Sequence, residues 1–173
     1  MTRVPDEQVA IIDPTGRVVG SAPRSMMRRD NMPHLVVAVL VRDPDGRVYV
    51  HRRTDTKDVY PGLHDCFAAG AVRYGEEPAL AAAREAGEEL GVTGVPLAPM
   101  GTFRYRDDAT DQVCHVFSAV WSGAVTHQAE EVAWGSWMTV PDLRARLADP
   151  AWPFVPDGRR LVTEMLADGR LAG

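Results

Sequence analysis

Apolar residues along this chain fall into short β-branched runs and into stretches with helical spacing. HLVVAVLVR, residues 34–42, is apolar at nearly every position, which predicts a strand covered on both faces. DPDG (43–46) turns the chain into RVYVHRR (47–53), a second strand with alternating character. Upstream, VAIID (9–13) and RVVG flank DPTG and predict a small hairpin, followed by a short helix over PRSMMRRD (23–30). TDTKDVYPGLHD is rich in turn formers and reads as a loop. FAAGAV (67–72) reads as a compact strand whose small residues permit close backbone approach. TFRYR (102–106), QVCHVFSAVW (112–121) and EVAWGSWMTV (131–140) are further strands. PDLRARLADP and PDGRRLVTEMLADG have helical periodicity bounded by proline and glycine. Repeats, low-complexity tracts and linkers are absent from the sequence, so residues 1–173 are read as one domain with an N-terminal hairpin extension at about 7–30. Strands mixed with helices point to an α/β or α+β sandwich.

Composition narrows the partners. A formal net charge of −5 argues against a general nucleic-acid binder, whose phosphate contacts need a basic face. A phosphate-bearing small molecule needs only local positive charge. The two cysteines, Cys66 and Cys114, have no metal-ligand spacing and are expected as free buried thiols. The N-terminus has no apolar signal core and no run approaches a membrane span, so the expected location is the cytoplasm.

One helix carries the chemistry. Pro78 suits a first helical position, Gly91 suits the residue past a helix end, and ALAAAREAGEEL between them is alanine-rich. Helical spacing places Leu80, Ala83, Gly87 and Leu90 on one side, expected to pack inward. Glu85, Glu88 and Glu89 share an arc on another side, bordered by Ala81 and Ala82. Like charges at these spacings destabilise a helix by a few tenths of a kcal/mol per pair, and no lysine interleaves them. They form either a solvated acidic face or a site for a hard divalent cation.

The flanking residues favour the cation. Gly70, Glu76 and Arg84-Glu85-Ala86-Gly87-Glu88-Glu89-Leu90-Gly91-Val92 stand at the spacing G, five residues, E, seven residues, R-E-U-x-E-E-x-G-U. This is the Nudix box, residues 70–92, and the chain resembles a Nudix hydrolase. The resemblance implies an α/β Nudix fold, an α/β/α sandwich with a mixed β-sheet. It implies Glu85, Glu88 and Glu89, with the Gly70 carbonyl, as ligands to Mg2+ or Mn2+. Arg84 would orient the glutamates and Glu76 would brace Arg84. The implied reaction is hydrolysis of a phosphoanhydride bond in a nucleoside diphosphate linked to another moiety. Glu85 or Glu88 is the expected base, and Glu131 a candidate additional acid beside the solvated Glu130. Candidate cations for the phosphates are Arg52 and Arg53 at a strand end, Lys57 in the loop, and Arg104 with Arg106. The expected partner is a phosphorylated, nucleotide-derived small molecule. The N-terminal hairpin stands either beside the pocket or at a homodimer interface.

Beyond the box, over residues 7–165, the order IIDPTGRVVG, RSMMRRDNMPHL, RRTDTKDVYPGLHD resembles the Nudix branch related to isopentenyl-diphosphate isomerase, the YfcD-type hydrolases in particular. An isomerase of this kind is therefore the rival enzyme, and a nucleotide-binding module without turnover a third reading. Against the isomerase, Ala69 stands where its reactive cysteine falls, and Gln112 where its catalytic acid precedes V-C-x-V-F. His34 and Tyr105 match isomerase positions. Cys66, three residues before Ala69, is expected on the opposite side of the strand.

Overall fold

The computed structural model describes residues 6–173. A hairpin of β1 (Gln8–Ile12) and β2 (Val18–Pro23) leads to a short helix, α1 (Arg24–Arg29). The central strand β3 (His34–Arg42) turns into β4 (Val48–Arg53), and a loop leads to β5 (His64–Asp65) and β6 (Phe67–Ala71). Helix α2 (Pro78–Leu90) follows, then β7 (Ala98–Arg106), β8 (Asp111–Val120), β9 (Val132–Met138), α3 (Val140–Leu147) and α4 (Pro156–Ala167).

β3 organises the sheet. It runs parallel to β8 from His34↔Gln112 to Arg42↔Val120, and antiparallel to β6 from Val36↔Ala71 to Leu40↔Phe67. β7 continues the sheet beyond β8, whereas β4 pairs with β9 and the two-residue β5. The sheet is therefore mixed. A parallel central pair must be covered on both faces, which is why its sequence is a continuous apolar run.

The two-residue period of β3 divides the core. Val36, Ala38 and Leu40 join Val48, Val50 and Phe67 under α3 and α4, through Leu143, Leu161, Val162 and Met165. Leu35, Val37, Val39 and Val41 face α2, through Ala81, Ala82, Ala86 and Leu90. β7 begins at Ala98, earlier than TFRYR implies, because a register shift between Pro99 and Gly101 carries pairing past an irregularity, with Gly101 at φ 98°.

Helix α2 corrects one expectation. Its buried residues are Ala81, Ala82, Ala86, Glu89 and Leu90, while Leu80 is 65% exposed and Ala83 is exposed. Of the expected inward set only Leu90 is buried, and Gly87 is half-buried. The alanines allow the helix to approach β6 closely, so the acidic edge lies against the sheet and the leucine rides outside.

Candidate active site

The site forms where β6 hands over to α2. Gly70 lies in extended β6, outside the left-handed region, so backbone conformation does not demand glycine there. Proximity does: a Cβ on Gly70 would stand 2.3 Å from the Glu85 carboxyl carbon. The helix and strand are thus close enough for a carboxylate to rest on bare backbone.

Arg84 fixes that carboxylate. Its Nε and Nη2 donate to Glu76 Oε1 and Oε2 at 2.9 and 3.0 Å, a two-pronged pairing that sets the guanidinium plane. Its Nη1 donates to Glu85 Oε1 at 2.5 Å and to Glu88 Oε2 at 3.4 Å. Nη2 also reaches the Ala71 carbonyl at 3.4 Å. Glu76 in turn accepts from the Arg73 backbone N–H at 3.0 Å, which closes the loop ahead of the helix. Hydrogen bonding from Arg84 holds the Glu76 carboxyl below its usual range, and the Glu76 bonds raise the Arg84 pKa.

Electrostatics runs the other way deeper in. Burial pushes the Glu85 carboxyl up, with Arg84 opposing the shift and Glu88 adding to it. Glu89, 4% exposed, is also pushed up by burial, against the pull of Lys57, with Glu85 adding to the shift. Burial lowers the Lys57 ammonium. Crowded, desolvated carboxylates of this kind are poor at holding their own charge and suited to a hard cation.

Glu85, Glu88, Glu89, Gly70, Arg84, Lys57 and Glu131 all line one cleft. Its donors are carboxylate and carbonyl oxygens, which fit Mg2+ or Mn2+. Among the described residues, no three acidic, histidine or cysteine side chains are gathered at a metal-holding geometry. Lys57 Nζ is ion-paired with Glu131 Oε2, and Glu130 is exposed. Thr54 ties this loop to the start of β9 by donating from its N–H to the Glu131 carbonyl at 3.1 Å.

Arg53 lines an adjoining cavity that shares Ala69 and Gly70 with the cleft. Its Nη2 donates to the Val59 carbonyl at 3.0 Å, and among the described residues its buried Nε has no hydrogen-bond partner. The other three expected phosphate arginines lie elsewhere. Arg52 neighbours Arg53 on β4 but lines neither the cleft nor the adjoining cavity, and it pairs with Asp55 at 2.6 Å. Arg104 binds Asp111 at 2.5 Å on β7, three strands from β6 and so roughly 14 Å across the sheet. Arg106 lies on the same strand and pairs with Asp111 at 3.6 Å.

Of the positions in the isomerase comparison, Ala69 and Gln112 line the adjoining cavity, whereas His34 and Tyr105 line neither it nor the cleft. The Ala69 methyl lines both the cleft and the adjoining cavity. Gln112 donates to Asp157 Oδ2 at 3.0 Å, His34 is fully buried, and Tyr105 donates to Asp107 at 3.2 Å. Cys66 corrects an expectation: it belongs to the same core cluster that Ala69 packs against. The strand breaks at Cys66, where Asp65 Oδ1 accepts from the Cys66 and Phe67 N–H groups, so the two-residue alternation restarts at Phe67.

Sequence reasoning missed Arg24 and Arg28 of α1, which line the cleft and the adjoining cavity respectively. Their i, i+4 spacing within PRSMMRRD was the available signal. It also missed the buried Asp65 and the half-buried Asp157, which share the cavity with Gln112. Burial, reinforced by Asp157, pushes Asp65 up to about 7.

Comparison with known proteins gives a consistent picture. A family model described as NUDIX domain matches residues 32–158. A Rhodococcus erythropolis protein named Nudix hydrolase orf19 is 44% identical over 169 residues, covering 92% of this chain and 91% of that one. The Nudix hydrolase YfcD of Escherichia coli (strain K12) is 36% identical over 151 residues, covering 87% and 82%. Among solved structures, DR0079 from Deinococcus radiodurans superposes with a TM-score of 0.79 at 25% identity, covering 92% of this chain and 99% of that one.

Proposed function

The chain belongs to the Nudix hydrolase family, and on that premise we propose a divalent-metal-dependent hydrolase that cleaves the phosphoanhydride bond of a nucleoside diphosphate linked to another moiety. One observation carries the reading. Glu85 rests on the bare backbone of Gly70 and is held there by Arg84, itself locked by Glu76, beside Glu88 and the buried Glu89.

Each residue then has a task. Glu85, Glu88 and Glu89, with the Gly70 carbonyl, would hold Mg2+ or Mn2+. A bound divalent ion supplies charge neutralisation at the phosphoryl oxygens and a more acidic attacking water. Glu85 or Glu88 would be the residue to take a proton from the attacking water. Arg84 restricts both carboxylates to a narrow set of positions, which matters because reacting groups must be held to within about 1 Å. Lys57 in the cleft and Arg53 in the adjoining cavity bind the phosphates. Glu131, held by Lys57, is the additional acid within the same cleft.

Incubating the protein with a panel of nucleotide-linked diphosphates and Mg2+, and identifying the products, tests this. Phosphate or nucleotide release is expected, reduced at least about tenfold by Glu89→Gln. Double-bond migration in isopentenyl diphosphate without release would replace the reading with the isomerase. That outcome is disfavoured by Ala69, whose methyl offers no thiol at the cleft wall. Nucleotide binding without product under any divalent ion would leave only a binding module.

A further inference from the structure

We propose that the β1–β2–α1 segment, which precedes the matched family region, completes the substrate site, with Arg24 and Arg28 of α1 gripping a phosphate group of the substrate. The inference rests on the phosphoanhydride reading for its ligand chemistry and on the N-terminal geometry for everything else.

The segment is fixed against the site. β1 is stitched to the residues just after Gly70: Ala10 N–H donates to the Val72 carbonyl and Tyr74 N–H to the Gln8 carbonyl, both at 2.9 Å. Met27, 1% exposed, packs α1 onto Val9 and Ala71, and Ala71 adjoins Gly70 in sequence. With Met27 pinned inward, Arg24 and Arg28, one turn apart, converge on Asp58 Oδ2 at the junction of two cavities that share Ala69 and Gly70. Arg24 lines the carboxylate cleft and Arg28 lines the cavity that holds Arg53.

Their charge is under-compensated. Both guanidiniums share one carboxylate, Asp58, with Arg24 Nη2 at 3.6 Å and Arg28 Nε at 3.3 Å. Among the described residues the other ion pair of Arg24 is with Glu7, at 4.0 Å, which Arg73 also engages, and Arg24 shares the cleft with Glu85, whose carboxyl feels its charge. Arg28 Nε is buried, and among the described residues it lacks a properly directed acceptor, as does Arg53 Nε in the same cavity. Two arginines with unspent N–H donors facing one cavity match the several acceptor oxygens of a phosphate better than one loop carboxylate.

The competing role is purely structural, docking the 54–63 loop onto α1 through Asp58. Binding of inorganic pyrophosphate to the full chain in metal-free buffer, followed by titration calorimetry, separates the two. Wild type should bind, Arg28→Met and Arg24→Met should each weaken binding about tenfold, and Arg28→Lys, which keeps charge but not the fork, should weaken it less. Arg29→Met is the control: Arg29 is exposed and paired with Asp30 at 2.7 Å, and its loss should leave affinity unchanged. Urea denaturation run alongside reports folding, and Arg24→Met and Arg28→Lys carry the test should Arg28→Met fail to fold. Unaltered pyrophosphate affinity in these variants, or no binding by wild type at millimolar ligand, overturns the proposal. A chain that binds pyrophosphate through α1 yet releases no product from any substrate would sink the hydrolase reading alone.

Discussion

Replacing Gly70 by alanine separates what the site needs from what the fold needs. The added methyl carbon would meet the Glu85 carboxyl carbon and Oε1 at 2.3 Å and Oε2 at 2.6 Å. Real side chains essentially never approach closer than 3.0 Å, so the carboxylate must retreat by about 0.7 Å or more. The atoms that must move are the far end of a flexible side chain, and the extended backbone at Gly70 accepts alanine. Stability should therefore change by no more than about 1 kcal/mol, the low end of overpacking costs. Activity should fall by about 10²-fold, because a displacement approaching 1 Å at a reacting group costs that much. Urea denaturation and metal-dependent product release, measured on the same preparation, read the two quantities. A Gly70→Ala protein with full turnover would refute the claim that Glu85 works from its seat on β6. A protein that instead unfolds would show that β6 and α2 have no slack at this contact.

Other outcomes follow from the same geometry. Arg84→Lys loses the two-pronged grip on Glu76 and should lower kcat at least tenfold with little change in KM, whereas loss of substrate affinity alone would assign Arg84 to binding. Asp65 has a folded pKa of about 7, above its unfolded value near 3.8, so its contribution to stability is full below about 3.8 and is lost as pH rises through 7. Asp65→Asn should therefore gain stability relative to wild type as pH rises from 4 to 7 in urea titrations, and a pH-independent difference would contradict the buried-acid assignment. Cys66 and Cys114, 1% and 2% exposed and both free, should resist a thiol reagent until denaturant is added; fast labelling of the native protein would contradict their burial.

Much of this architecture is legible in the amino-acid order. The unbroken apolar run at 34–42 announces a strand covered on both faces, and β3 has those bounds. The proline and glycine that flank α2 mark its ends, with Gly91 at φ 69°. What the sequence leaves unread is direction. Helical spacing groups Glu85, Glu88 and Glu89 but leaves open whether they face solvent or a cation, and it turns Leu80 inward because hydrophobicity alone ranks leucine above glutamate for burial. In the fold Glu89 is buried and Leu80 is exposed. Arg52 and Arg53 are equivalent in composition, yet Arg53 lines the adjoining cavity while Arg52 pairs with Asp55, a difference only the fold supplies. Arg24 and Arg28 lie far in sequence from the acidic helix. Only the β1 hydrogen bonds to the segment after Gly70 bring them near it.

Manganese titration, followed by the paramagnetic resonance signal of the free ion, addresses the core of the account. The full chain should take up Mn2+, and the combined Glu85→Gln, Glu88→Gln, Glu89→Gln variant, verified as folded, should lose at least tenfold in affinity. Equal uptake by both proteins would mean that the acidic edge of α2 lies against the sheet for some other reason.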